Sequence, residues 1–258
     1  MRLDKFLSDM NMGSRKELRQ KIRKGTVLVN GEKAADPGMA VTAVDEVFFD
    51  GEKIDYRAYE YYMLNKPAGL VTATEDRFQK TVLDLFGESR RKDLFPVGRL
   101  DKDTVGLLLI TNDGDLNHRL LSPKKHVDKE YYVHVSGRVD EQDIRAFGKG
   151  IRIDEVFTAL PAELKIISYR ETASGNDAEN FKRAGLDPTQ LIKGVSEVMV
   201  TIQEGKFHQI KRMFHSIGKE VVYLKRLRMG TLVLDSRLEE GGYRHLTEDE
   251  IAELKNTH

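Results

Sequence analysis

Apolar residues at Leu3, Phe6, Leu7 and Met10 recur at helical spacing, which predicts a short amphipathic helix over residues 2–10. Gly13-Ser14 then supplies a turn and an N-cap for a second helix from about Arg15 to Arg23, ended by Gly25. Leu18 and Ile22 are the apolar positions of that second helix, so most of its surface is polar. Thr26-Val27-Leu28-Val29 reads as a strand and Asn30-Gly31 as a tight turn. Glu46-Val47-Phe48-Phe49 repeats the pattern before Asp50-Gly51. Two helices and a small sheet in under 60 residues make a compact module that presents its second helix.

The stretch Asp55 to Glu60 is a boundary, dividing the chain into residues 1–58 and 59–258. Beyond it Tyr61-Tyr62-Met63-Leu64 is strand-like, and Pro67 in Asn65-Lys66-Pro67 blocks further pairing. Leu70 to Ala73 resumes an extended pattern, and Thr81 to Phe86 suggests a short helix. Val105 to Ile110 is apolar on both faces, as in a strand buried inside a sheet, and Asn112-Asp113-Gly114 reads as the turn that closes it. Further strands are expected around Tyr131–Val135, Ala162–Ile167 and Val198–Ile202, and helices near Glu141–Phe147 and Lys211–Ile217. Residues 170–194 are polar, with scattered Gly, Pro and Asn, and read as a long surface loop or insertion. Thr247-Glu248-Asp249-Glu250 is a capping-box pattern that starts a terminal helix. Strands dominate and helices do not alternate with them regularly, so an α+β fold with a mixed sheet is expected over a doubly wound parallel one.

Composition narrows the function. Hydrophobic content of 40% suffices for a core, and the absence of cysteine excludes disulfides, thiolate nucleophiles and cysteine metal sites. No apolar stretch approaches the roughly 18 residues that span a bilayer. The opening Met1-Arg2-Leu3-Asp4-Lys5 lacks the apolar segment of a secretory signal, so a cytoplasmic protein with no membrane partner is expected. Net charge is zero but segregated. Arg15, Lys16, Arg19, Lys21, Arg23 and Lys24 are opposed along that stretch only by Glu17. A second basic stretch holds Lys206, Lys211, Arg212, Lys219, Lys225, Arg226 and Arg228, and the acidic stretch Glu239 to Glu253 restores the balance. Two such patches fit a polyanion bound at defined faces, whereas either alone would read as a solvated helix face.

Candidate chemistry emerges by elimination. The seven histidines show no paired ligand spacing, so no metal is expected, and His208 and His215 read as structural or RNA-contacting. No Gly-x-Ser-x-Gly elbow, P-loop or dinucleotide fingerprint is present. That leaves Asp101, in "VGRLDKDTVGLLLITNDG" (97–114), just ahead of the buried strand. A carboxylate partly buried there needs a cation to stay ionised, and the second basic stretch can supply one. On these grounds Asp101 is either a reacting group or a salt-bridged turn residue.

The N-terminal "RLDKFLSDMNMGSRKELRQKIRKGTVLVNG" resembles the S4-like RNA-binding domain. The resemblance implies that Arg15, Lys16, Arg19 and Arg23 lie along RNA phosphates, contacts that carry affinity and little sequence information. "GRLDKDTVGLLLITNDGDL" resembles the signature of the pseudouridine synthases of the RsuA/RluB/RluE/RluF family. "YMLNKPAGLVTA", "KEYYVHV" and "EGKFHQIKRMFHSIGKEVVYLKRLRMG" resemble the family's other blocks in the same order, so the likeness covers nearly the whole chain.

The resemblance implies an S4-like module followed by a catalytic domain with a mixed, mainly antiparallel sheet. It also implies isomerisation of a uridine in rRNA without cofactor or metal, by a monomer. Asp101 takes the catalytic role, Tyr131 stacks on the target base, and Lys211 stands where many relatives carry an arginine paired with the aspartate. A lysine there keeps the charge and loses the two-pronged geometry. Ile210 is expected to pack on the base and Arg99 to hold the nucleotide out of its stack. Asp103 and Asp113 are expected to be structural. The likeness is nearest to small-subunit (16S) enzymes, in a free or partly assembled subunit. A large-subunit (23S) enzyme, a non-catalytic ribosome-assembly protein and a sugar hydrolase using Asp101 and Asp103 are the alternatives. Asp101, Tyr131 and Lys211 together argue against a non-catalytic relative, and two carboxylates so close in basic surroundings argue against the hydrolase.

Overall fold

The computed structural model describes residues 1–42, 44–54, 58–88, 90–171, 175–186 and 194–256. The chain divides into two compact units, the first holding Met1–Glu60 and Leu83–Phe95, the second Tyr61–Val82 and Pro96–His258.

In the first unit, helix α1 (Leu3–Asp9) and helix α2 (Arg15–Lys24) pack on a four-stranded sheet of β1 (Val27–Val29), β2 (Glu32–Lys33), β3 (Val47–Phe49) and β4 (Glu52–Ile54), in the order β2-β1-β3-β4. The expected signals act as written. Ser14 caps α2 in a reciprocal box with Glu17, and Gly25 ends it in the left-handed conformation. Asn30 and Asp50 take φ of 54° and 49°, each followed by a left-handed glycine, the geometry that tight hairpin turns require. Leu3, Phe6, Leu7, Leu18 and Ile22 meet Val27, Val29, Val47 and Phe49 in one core.

The basic helix also draws counter-charge from outside its own stretch. Glu17 is not the sole counter-charge to the basic helix, because the fully buried Asp4 accepts hydrogen bonds from Arg2, Arg15 and Arg19. Burial alone would raise its carboxyl, and the three guanidiniums outweigh that and hold it well below the usual carboxylate range.

The second unit adds β5 (Tyr61–Lys66), β6 (Phe95–Pro96, its second residue only), β7 (Val105–Thr111), α3 (Gly114–Leu121), β8 (Lys129–Ser136), α4 (Glu141–Lys149), β9 (Glu163–Arg170), α5 (Gly175–Arg183), β10 (Val195–Ile202), α6 (Gln209–Ser216), β11 (Val221–Met229), β12 (Leu232–Val233), β13 (Tyr243–His245) and α7 (Glu248–Asn256). Its sheet runs β13-β5-β7-β11-β8-β10-β9. Along that path every pairing is antiparallel except β7 with β11. Every residue of β7 is buried, as expected of an interior strand. Gly106 makes the parallel pairing possible: its φ is 99°, and a Cβ there would lie 2.3 Å from the Arg226 carbonyl oxygen. Thr247 and Glu250 cap α7 reciprocally, as the sequence pattern requires.

Three expectations change. Leu70 to Ala73 forms no strand, only a single bridge between Val71 and Thr81. Asn112-Asp113-Gly114 opens a helix instead of merely closing a strand, since Asp113 caps α3 by accepting from the Leu116 amide and also accepts from the Tyr61 hydroxyl. The 170–194 segment is not a loop throughout. Over Gly175–Arg183 it is helical, with Asp177 and Phe181 fully buried, and Asp177 pairs with Arg170 and His134. Residues 172–174 and 187–193 of that segment lie outside the described ones. Among the described residues no helix is long and apolar enough to cross a membrane.

Candidate active site

The parallel pairing of β7 and β11 positions the site. Parallel neighbours enter a sheet from the same end, so the segments leading into them converge there: residues 99–104 before β7, and the turn with α6 before β11.

The 99–104 loop is held by the segment that follows β5. Thr72 Oγ1 donates to the Leu100 carbonyl at 2.7 Å and accepts from the Leu100 amide at 3.2 Å. The Gly69 amide donates to the Lys102 carbonyl at 2.7 Å. Beneath the loop lies Lys66, fully buried, its ammonium donating to the carbonyls of Pro67, Lys102 and Thr104. Burial pushes the Lys66 amine down to about 8, against the opposing pull of Asp103 and Asp101. "NKPAGLVT" therefore has a physical task, to brace the carboxylate-bearing loop on a rigid support.

From the other side comes α6. Ile210, Met213 and Phe214 bury its apolar face, which leaves Lys211 facing the loop. Lys211 Nζ lies 2.6 and 2.7 Å from the two Asp103 oxygens and 3.6 Å from Asp101 Oδ2. The expected Asp101 cation is thus shared, and its hydrogen bonds go to Asp103. Asp103 is more than a turn residue, because it aims the lysine. His208 Nε2 is 3.5 Å from Asp101 Oδ1, so two cationic or potentially cationic groups flank this carboxylate. Nothing in local sequence marks His208 as a neighbour of a residue 107 positions earlier. His208 has φ of 47°, a left-handed backbone that costs a non-glycine residue roughly 1–3 kcal/mol.

Asp101, Arg99, Tyr131, Ile210, His208 and Gln209 line one open cleft. Tyr131 lies on β8, opposite Arg226 of β11, on the same strand face as Val133 and Val135. It is buried and still reaches the cleft wall. Ile210 is buried in the wall, and Arg99 is exposed at the rim. Behind Tyr131, Lys129 is buried, with its amine brought down to about 8 by burial and by the Arg226 charge. Arg15, Lys16, Arg19 and Arg23 lie in the first unit, with Arg15 and Arg19 tied to Asp4 and Lys16 and Arg23 exposed. No group of three or more His, Asp or Glu side chains among the described residues is placed to hold a metal ion.

The cleft thus gathers a braced carboxylate and a buried tyrosine, with a cation shared at its edge, and comparison with known proteins gives the class of the chain. Residues 60–216 match the RNA pseudouridylate synthase family, and residues 1–47 match the S4 domain. The "Uncharacterized RNA pseudouridine synthase YtzG" of Bacillus subtilis is 44% identical over 97% of each chain. "Ribosomal small subunit pseudouridine synthase A" of Escherichia coli is 37% identical over 98% of this chain and all of its own. A crystal structure of a pseudouridylate synthase superposes with a TM-score of 0.62 at 34% identity, covering 98% of this chain and 99% of that one. The chain belongs to the RNA pseudouridylate synthase family and is similar along nearly its whole length to members named for the small subunit. It is an isomerase that makes pseudouridine.

Proposed function

We propose that the chain is an rRNA pseudouridine synthase acting on one uridine of 16S rRNA, in a free or partly assembled small subunit, as a cytoplasmic monomer. Residues 1–58 anchor on RNA phosphates through Arg15, Lys16, Arg19 and Arg23, and residues 59–258 carry out the isomerisation. The observation that carries this reading is the convergence of Asp101, Tyr131 and Lys211 on one end of the β7–β11 pair. The full-length likeness to enzymes named for the small subunit supports the choice of 16S.

In this reaction the bond from ribose C1′ to uracil N1 breaks and one from C1′ to C5 forms. C5 loses its proton and N1 gains one, so the product is an isomer of the substrate and Asp101 ends as the carboxylate it was. Asp101 meets the positive charge that develops at C1′. Lys211 at 3.6 Å and His208 at 3.5 Å flank it and fix its place before the base arrives. Tyr131 and Ile210 hold the uracil, and Tyr131 assists removal of the C5 proton. A base must first leave its stack, at a cost of roughly a few kcal/mol, and Arg99 at the rim holds the displaced strand. The cleft has to exclude water during the step, or the detached base is lost by hydrolysis.

The test is Asp101→Asn with full-length chain and rRNA transcripts. RNA binding is retained and pseudouridine formation is lost, whereas near-wild-type turnover would refute the role of Asp101. Mapping pseudouridine in rRNA from cells lacking the protein identifies the subunit: a missing 23S site in place of a 16S site overturns the small-subunit choice.

A further inference from the structure

Phe207 is 72% exposed, although it adjoins the cleft. Its ring stacks on His208 with centroids 3.8 Å apart and planes at 15°. His208 in turn lies 3.5 Å from Asp101. A large aromatic side chain so exposed gains little from folding, because most of its face remains in water. The turn that carries it is nonetheless fixed. The Gln209 amide donates to the Lys206 carbonyl at 3.2 Å, closing a turn around Phe207 and His208. The buried Gln209 side chain accepts from the Lys206 amide at 3.0 Å and donates to Glu204 at 2.9 Å. Glu204 also accepts from the Leu160 amide at 2.7 Å, so the turn is fastened to a second segment. The phenyl face is therefore a preformed flat surface beside the reacting carboxylate, next to the exposed Lys206.

We propose that the Phe207–His208 stack is a nucleobase platform for an RNA nucleotide next to the flipped uridine. Flat apolar rings next to cations are what single-stranded nucleic acid requires: a π-face for the base and positive charge for the backbone. Extrusion of the target leaves its neighbours without a stacking partner, and a ring at the cleft mouth replaces that partner. His208 serves twice, backing Phe207 with one face and turning its edge toward Asp101. This inference rests on the pseudouridine synthase reading and assigns a residue which that reaction does not otherwise use.

The chain contains no tryptophan, so Phe207→Trp installs a single fluorescent reporter. The exposure of Phe207 makes its substitution tolerable to the fold. With unmodified 16S and 23S transcripts as probes, the tryptophan signal is quenched on binding, and heparin, a polyanion without bases, leaves it unchanged. Phe207→Ala and Phe207→Leu both weaken transcript binding about 5- to 150-fold, the fold-change equivalent of one lost base stack of about 1–3 kcal/mol. Phe207→Tyr binds like wild type. The loss falls on KM more than on kcat. Equal quenching by heparin, or full binding by Phe207→Leu, overturns the proposal, since either shows that no base stacks there. Wild-type pseudouridine formation, measured in parallel, separates the two claims. If pseudouridine forms and Phe207→Ala binds normally, the platform fails alone. If none forms, the reaction assignment fails, and base-dependent quenching still supports stacking.

Discussion

Lys211 gives its hydrogen bonds to Asp103, at 2.6 and 2.7 Å, and stands 3.6 Å from Asp101. A flexible lysine needs such an anchor to hold one position, and Asp103 supplies it. Asp103→Asn is expected to lower kcat/KM about 10- to 150-fold, the loss typical of a charge-assisted hydrogen bond worth roughly 1.5–3 kcal/mol. Single-turnover rates on transcripts test this. Lys211→Arg should retain more activity than Lys211→Met, because a guanidinium can address both carboxylates. An Asp103→Asn enzyme with wild-type rates would show that Lys211 needs no anchor.

The buried Lys66 makes stability depend on pH with a definite sign. Its amine titrates at about 8 in the folded chain, against 10.5 when unperturbed. Between those values the unfolded chain binds the extra proton, so stability rises with pH across that window. Below pH 8 both states are protonated and the cost of burying the charge is fully present. Lys66→Met removes the titration. The unfolding free energy of wild type minus that of the variant should therefore grow from pH 8 to 10.5, by up to about 3 kcal/mol. Lys129 titrates in the same range and cancels in that difference. A flat difference in urea melts would refute the assignment.

Asp4 organises the basic face of the first unit. Asp4→Ala releases Arg2, Arg15 and Arg19 from a shared buried acceptor, and the half-exposed guanidiniums recover part of the loss in water. A destabilisation of roughly 1–3 kcal/mol is expected, readable as a lower melting temperature. Lys16→Glu with Arg19→Glu should weaken rRNA binding and flatten its dependence on salt, because fewer counterions are released. An unchanged salt slope would remove this helix from the RNA interface.

Gly106→Ala should be the most damaging single methyl group in the second unit. The added carbon would lie 2.3 Å from the Arg226 carbonyl oxygen, which is backbone and cannot swing away. Loss of more than about 3 kcal/mol, or failure to accumulate as folded protein, is expected from overpacking plus the unfavourable φ. A variant with wild-type urea stability would contradict the close strand approach.

Much of this architecture was legible in local pattern. Capping residues, the Asn30-Gly31 and Asp50-Gly51 turns and the all-apolar β7 each announce an element through short-range physics. Helix α5 escaped because its stabilising contacts are long-range. Phe181 is its one large buried apolar side chain, and its anchor is Asp177 against Arg170 and His134 rather than an apolar stripe. Helix α3 did carry a signal, with Asp113 as cap and Leu116 and Leu120 four apart, masked by the turn-like Asn-Asp-Gly. At the site, Asp101 stood out because nothing else suited the chemistry. Lys66, His208 and the division of Lys211 between two carboxylates depend on which segments the parallel pair brings together, and no local pattern encodes that.

The first unit reclaims Leu83–Phe95 after the chain has already begun the second, and Asn11 there donates to the Glu88 carbonyl. This has a consequence for heredity and for engineering alike. A recombination that exchanges only the first 60 residues would import a module without its last segment and strand a foreign one in the host. Exchange between relatives is cleanest when both pieces travel together, so the two stretches should be inherited as a linked pair.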